Sequence, residues 1–110
     1  MSESLPLEID CATLAAWTLE VDPPVILDVR EPWEVAICAL PNSINIPLGM
    51  IPSRAAEIPE ERRVVALCHH GMRSLQATRW LRGRDRENIV NLQGGIDAWS
   101  RQIDPSVATY

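Results

Sequence analysis

Val64-Val65-Ala66-Leu67-Cys68-His69-His70-Gly71-Met72-Arg73-Ser74 is the stretch whose reading organises the rest of the chain. Val64 to Leu67 is an unbroken apolar run, the pattern of a strand covered on both faces. Beyond Ser74, Leu75, Thr78 and Leu81 recur at helical spacing, so a helix follows. Between strand and helix lies a short loop that opens on a cysteine and closes on an arginine. A helix N-terminus presents unpaired N–H groups and roughly half a positive charge, and both favour an anion placed there. Such positions, and nearby cations, lower a cysteine pKa from about 8.5 into the range of roughly 3.5 to 7.5. Gly71 lets the loop bend, and Arg73 adds a cation with a rigid fork of donors. Successive N–H groups folded around the sulfur would form an anion nest. A free cysteine at the end of an apolar strand is commonly a small core residue. The ordered run of cysteine, glycine, arginine and serine at a strand-to-helix junction favours a nucleophile instead. His69 and His70 are either participants or polar rim residues of an exposed loop.

Working outward, strand and helix signals alternate. Leu7-Glu8-Ile9 reads as a short strand, with Asp10 as N-cap of a helix through Ala12, Ala15, Ala16 and Leu19. Pro23-Pro24 ends that connection. Val25-Ile26-Leu27 is a strand that delivers Asp28-Val29-Arg30-Glu31 to its carboxyl end, and Pro32 suits the first turn of a helix in which Trp33 and Ile37 share a face. Ser43 to Ile46 alternates as a strand closed by Pro47, and a short helical segment is expected within Ile51 to Glu57. After the Leu75 to Leu81 helix come a strand at Ile89 to Leu92, a turn at Gly94-Gly95 and a last helix opening on Ile96-Asp97-Ala98-Trp99. This order predicts an α/β fold, a mainly parallel sheet flanked by helices on both faces. Ligands of such open sheets bind outside the carboxyl ends of the strands, where Asp28 and Cys68 both fall. Asp28 and Arg30 are expected to form an ion pair that supports this edge, a structural rather than a catalytic role.

At 110 residues the chain is expected to be one domain spanning 1–110. With 46% apolar and 23% charged residues it has the composition of a globular protein. A net charge of −5 with no basic stripe argues against a nucleic-acid partner. The start, Met1 to Glu8, has neither a basic nor an apolar leader pattern, and no stretch approaches the roughly 18 apolar residues of a membrane span, so no membrane partner and a cytoplasmic location are expected. Three widely spaced cysteines, Cys11, Cys38 and Cys68, suit a reducing compartment, Cys11 as core and Cys38 as a buried filler or an accessory thiol. No Cys-x-x-Cys pair or second ligand cluster exists, so no metal is expected.

Four segments in order resemble a single-domain rhodanese, a sulfurtransferase of the thiosulfate:cyanide type. They are Leu27 to Glu31 with Trp33-Glu34, Ile44 to Leu48, Cys68 to Ser74, and Asn91 to Trp99. The resemblance covers nearly the full chain. It implies a ping-pong reaction in which Cys68 takes a sulfane sulfur from thiosulfate or another persulfide donor and passes it to a thiol, cyanide or a sulfur-acceptor protein. His69, His70, Gly71, Met72, Arg73 and Ser74 would bind substrate, the backbone cradling the persulfide and Arg73 holding the anionic donor, with no cofactor. Related dual-specificity phosphatases and arsenate reductases use a loop one residue longer, whereas Cys68 to Arg73 is six residues inclusive, the sulfur-transfer length. The alternative from another class is a regulatory docking module or a carrier that loads sulfur without turnover. Two segments depart from the family pattern. Cys38-Ala39-Leu40-Pro41-Asn42-Ser43 stands where many members read Gly-His-Ile-Pro-Gly-Ala, which puts that loop's geometry and the edge of the pocket in question. Asp85-Arg86 replaces a frequent Gly-Phe, so a packing change is expected there, with Gly83 as helix C-cap.

Overall fold

A computed structural model describes residues 5–110; Met1 to Ser4, the first part of the segment read for a leader, lie outside the described residues. The element order is β1 (Glu8–Ile9), α1 (Cys11–Thr18), β2 (Val25–Asp28), α2 (Pro32–Ile37), β3 (Ser43–Asn45), α3 (Ile51–Arg54), β4 (Val64–Leu67), α4 (Met72–Arg82), β5 (Ile89–Leu92) and α5 (Gly95–Gln102), with short 3₁₀ turns on either side of α3. The five strands form one sheet in the order β1-β5-β4-β2-β3, and every pairing is parallel. The expected α/β architecture is the one observed.

Alternation along each strand divides the core in two. Val25 and Leu27 of β2, Val64 and Ala66 of β4 and Ile89 of β5 pack with Ala77 and Leu81 of α4. Ile26, Val65, Leu67, Val90 and Leu92 point the other way, onto Cys11 and Leu14 of α1 and Ile96 and Trp99 of α5. Both faces are covered, so β2, β4 and β5 are buried at every position. Asp28 pairs in register with Leu67, which sets Asp28 beside the start of the cysteine loop as the topology required. Cys11 is core, as expected.

Three local details refine the sequence expectation. Helix α4 begins at Met72, three residues before its apolar periodicity, because Gly71 at φ +99° turns the chain directly into the helix. The face shared by Trp33 and Ile37 on α2 is its exposed one, and the residue α2 buries is Glu34. After α4, Gly83 is the C-cap, as expected, though in a right-handed conformation, and the left-handed step falls on Asp85 at φ +64°. Just after it, Arg86 donates back to the carbonyls of Ala55 and Ile58, at 2.8 and 3.1 Å, tying the turn to the segment after α3.

The departure at Cys38 to Ser43 has an equally local solution. Asn42 stands where the family pattern has a glycine and adopts φ +59°, a region Asn tolerates better than most residues. Its side-chain amide donates to the Pro24 carbonyl at 3.0 Å, and its own carbonyl accepts from Ile26. Asn42→Gly is therefore expected to change stability by less than about 1 kcal/mol, relief of the left-handed strain offsetting the lost hydrogen bond. Asn42→Val, β-branched at positive φ, should cost about 2 kcal/mol or more in urea unfolding.

Candidate active site

Cys68 follows β4 directly, and its sulfur is buried at the N-terminus of α4. Three donors converge on Sγ: the Gly71 N–H at 3.0 Å, the Ser74 N–H at 3.4 Å and the Ser74 hydroxyl at 3.3 Å. Ser74 is fully buried and spends its hydroxyl on the sulfur, while its carbonyl accepts from Thr78. Met72 and Arg73 begin the helix, so their N–H groups have no carbonyl four residues back to bond. The expected nest is thus present at Gly71 and Ser74, and negative charge on Sγ faces donors.

The loop holds this shape because its carbonyls are bound from outside. The Cys68 carbonyl accepts from the Ile96 N–H at 2.9 Å and the His69 carbonyl from the Asp97 N–H at 3.1 Å, so the first turn of α5 caps the loop. The approach is so close that a Cβ on Gly95 would lie 2.4 Å from both carbonyl oxygens. Asn91, the polar member of buried β5, donates from Nδ2 to the Gly71 carbonyl at 3.1 Å and to Glu8 at 2.9 Å.

Arg73 is gripped by Glu34. Nη1 and Nη2 meet Oε1 and Oε2 at 2.7 and 2.8 Å, a bidentate pair that engages the arginine expected to hold the donor. Glu34 is 3% exposed and receives two further donors, the Glu31 N–H at 3.0 Å and the Tyr110 hydroxyl at 2.6 Å. Arg73 above all, with Tyr110 and the Glu31 N–H, outweighs burial and holds the Glu34 carboxyl at about 2. The Arg73 guanidinium is correspondingly raised, chiefly by Glu34. Burial pushes the Tyr110 phenol up to about 12, so it keeps its proton to donate.

Asp28 and Arg30 form the expected ion pair, with Nε–Oδ1 at 3.0 Å and Nη2–Oδ2 at 2.7 Å, both residues fully buried. Arg30 also donates to the Cys38 carbonyl at 2.8 Å and to the Tyr110 hydroxyl at 3.0 Å. His69 is half-buried and stacked between His70 and Tyr110, and burial, then His70, lowers its pKa below the ordinary value. His70 is exposed, with Nδ1 4.0 Å from Asp97. Met72 is exposed beside the loop. The Cys38 to Pro41 stretch lines a cleft of about 460 Å³ with Leu14, Trp99 and Val107, to which Cys68 to Ser74 contribute no wall.

A buried cysteine in an amide nest, on a six-residue loop closed by an ion-paired arginine, matches a known domain. The profile of the Rhodanese-like domain matches residues 12–102. The chain belongs to the rhodanese-like family. A sulfurtransferase of Allochromatium vinosum is 38% identical over 101 residues, covering 92% of this chain and 94% of that protein. An adenylyltransferase and sulfurtransferase of Ogataea parapolymorpha is 39% identical over 88 residues, but this chain spans only 23% of its length. Among solved structures, a rhodanese-like domain protein of Staphylococcus aureus superposes with a TM-score of 0.81 at 28% identity, over 96% of this chain and 99% of that one. A rhodanese-related protein of Thermoplasma volcanium gives 0.81 at 30%, over 96% and 100%. These relatives support rhodanese-type sulfur transfer as the activity class.

Sequence reasoning did not single out Glu34, Asn91 or Tyr110. Glu34 was visible as the second acid of Glu31-x-x-Glu34 at a helix start, a capping-box pattern, and the Glu31 N–H does donate to it. Asn91 was visible as a polar residue inside an apolar run, whereas Tyr110 had no local signal.

Two expectations follow. The Glu34 carboxyl titrates near 2 in the folded chain and near 4.5 when unfolded, so its contribution, about 3 kcal/mol, is complete above about pH 4.5 and lost as pH falls toward 2. Urea unfolding of wild type and Glu34→Gln should differ most near neutral pH and converge at acid pH; a constant gap would refute the assignment. Gly95→Ala should destabilise by at least about 2 kcal/mol, from positive φ and the clash with the loop carbonyls, measured by the same unfolding.

Proposed function

We propose that the protein is a sulfurtransferase in which Cys68 carries the sulfur as a persulfide. The observation that supports this best is the convergence of the Gly71 and Ser74 donors on Sγ. In the first half-reaction the thiolate attacks the outer sulfur of thiosulfate or of another persulfide donor. The Cys68 S–S bond forms as the donor's bond to that sulfur breaks, and thiosulfate leaves as sulfite. In the second, cyanide, a thiol or a sulfur-acceptor protein attacks the terminal sulfur, and the electron pair of the S–S bond returns to Cys68. No proton need move between anionic partners, which suits a site without an obvious general base. His69, its pKa lowered by burial, stacks on Tyr110 and so walls one side of the loop.

Within this reading Gly71, Met72, Arg73 and Ser74 supply the N–H cradle, and His69 and His70 form its rim. Arg73 keeps donors beyond the two N–H groups given to Glu34, and these are what it would offer an anionic donor. Asp28 and Arg30 support the edge. No cofactor or metal takes part. The six-residue loop favours a sulfur over the larger tetrahedral oxyanion of a phosphatase or arsenate reductase. We place the protein in the cytoplasm as one domain, on the strength of its three free cysteines and its composition; no helix among the described residues is long and apolar enough to cross a membrane.

Intact mass after incubation with thiosulfate tests the reading. Wild type should gain about 32 Da, cyanide should remove it as thiocyanate, and Cys68→Ser should gain nothing. Turnover with excess of both substrates separates an enzyme from a carrier that loads once. No gain on wild type with thiosulfate or with a glutathione persulfide donor would sink the proposal and favour a docking module.

A further inference from the structure

The chain after α5 turns back over the sheet edge. Ser100 Oγ donates to the Val107 carbonyl at 2.6 Å, the Val107 N–H bonds the Asp104 carbonyl, and Val107 and Tyr110 pack against the core beneath α1 and α5. This path sets Tyr110 against the cysteine loop. Its ring stacks on the His69 imidazole, with centroids 4.1 Å apart and planes 13° from parallel, and meets Trp33 edge-on at 6.1 Å. Its hydroxyl donates to Glu34 Oε2 at 2.6 Å and accepts from Arg30 Nη1 at 3.0 Å. Glu34 in turn holds Arg73 with both oxygens.

One side chain therefore reaches both ends of the loop, its second residue by stacking and its last through Glu34. The two contacts are chemically distinct. Stacking fixes the plane of His69, whose carbonyl is already held by α5. The hydroxyl supplies Glu34 with its fourth donor, leaving the carboxylate no free direction in which to swing Arg73 out of register. Between these anchors lie His70, Gly71 and Met72, and the amides turned toward the sulfur are those of Gly71, within this segment, and Ser74, just beyond it.

We propose that Tyr110 is a positioning residue for sulfur loading, a staple across the two ends of the Cys68 to Arg73 loop that keeps the N–H cradle in its working geometry. This rests on the sulfur-transfer reading above, and it assigns to Tyr110 a role in the chemical step that its distance along the chain conceals.

The test compares wild type, Tyr110→Phe, Tyr110→Ala and Val107→Ala. Val107→Ala loosens the same segment without touching the loop. The first readout is the single-turnover rate of persulfide formation on Cys68 at saturating thiosulfate, beside the melting temperature. Tyr110→Phe, which keeps the stack and loses the hydroxyl, should load about 3- to 10-fold more slowly, the rate equivalent of one hydrogen bond. Tyr110→Ala should be slower again, and Val107→Ala should load at the wild-type rate even if it melts as early as Tyr110→Ala. A wild-type rate in Tyr110→Phe, or an equal slowing in Val107→Ala, overturns the proposal. The second readout needs no turnover: the Arg73 side-chain ¹⁵Nη–¹H resonances should show restricted rotation in wild type and freer rotation in Tyr110→Phe. Failure of wild type to load sulfur would defeat the sulfur-transfer reading, and unchanged Arg73 rotation in Tyr110→Phe would separately defeat the staple.

Discussion

A loop can turn amides toward a sulfur, as Gly71 and Ser74 do toward Cys68, only if its carbonyls are satisfied elsewhere. Each peptide carries a donor and an acceptor on opposite sides, so a loop that gathers N–H groups inward presents carbonyls outward, and buried carbonyls without partners are costly. Here the outward carbonyls of Cys68 and His69 meet the first-turn N–H groups of α5, which themselves have no intrahelical partner. The carbonyl of Gly71 meets Asn91. Two helix N-termini thus serve one loop, α4 from within and α5 from behind. The cost appears as a steric rule, because Gly95 must lack a Cβ for α5 to come so close. The β5–α5 connection is part of the cradle in the same sense as the loop itself.

The second constraint is charge. Arg30 and Asp28 are fully buried, and an isolated buried ion would cost several kcal/mol. Arg30 avoids that by placing its donors on Asp28, the Cys38 carbonyl and Tyr110. Burial opposes this cation, yet Asp28 and Tyr110 together leave its pKa raised. A pair so deeply buried adds little net stability over an apolar substitute, but it admits few arrangements. Its directionality fixes where β2 delivers the chain into α2, and so where Glu34 stands to receive Arg73.

How far the sequence disclosed this depended on whether the signal was local. Val64 to Leu67 and Ile89 to Leu92 were legible to the residue because four-residue, largely apolar, β-branched-rich runs bounded by polar connections are too short for a helix. The start of α4 was not, since Met72-Arg73-Ser74 carries no apolar periodicity and the helix begins there through a backbone turn at Gly71. Cys68, Gly71, Arg73 and Ser74 lie together in sequence and were found together. Asp28 and Arg30, two residues apart, were paired correctly. Glu34 meets Arg73 across 39 positions and Tyr110 meets Glu34 across 76, separations at which one sequence offers no periodicity to follow. On α2 the shared face of Trp33 and Ile37 is exposed and the buried residue is Glu34, because that helix presents a carboxylate rather than filling the core.

The two arginines that brace the cysteine loop and its neighbouring edge are matched, Arg73 with Glu34 and Arg30 with Asp28. Negative charge on Sγ is therefore met by fixed N–H and O–H dipoles rather than by an unpaired cation. For sulfur transfer this is an advantage. In the proposed mechanism thiolate and persulfide would each carry one negative charge, displaced by a single sulfur atom, so a dipolar cradle would serve both half-reactions without reorganising between them. In the sulfur transfer proposed above, an unpaired guanidinium would hold a departing anion as well as an arriving one, whereas Arg73, paired with Glu34, would offer only its remaining N–H donors. Pairing Arg73 with Glu34 keeps the rigidity of its fork, which shapes the loop, while tempering the charge that would hold a product anion.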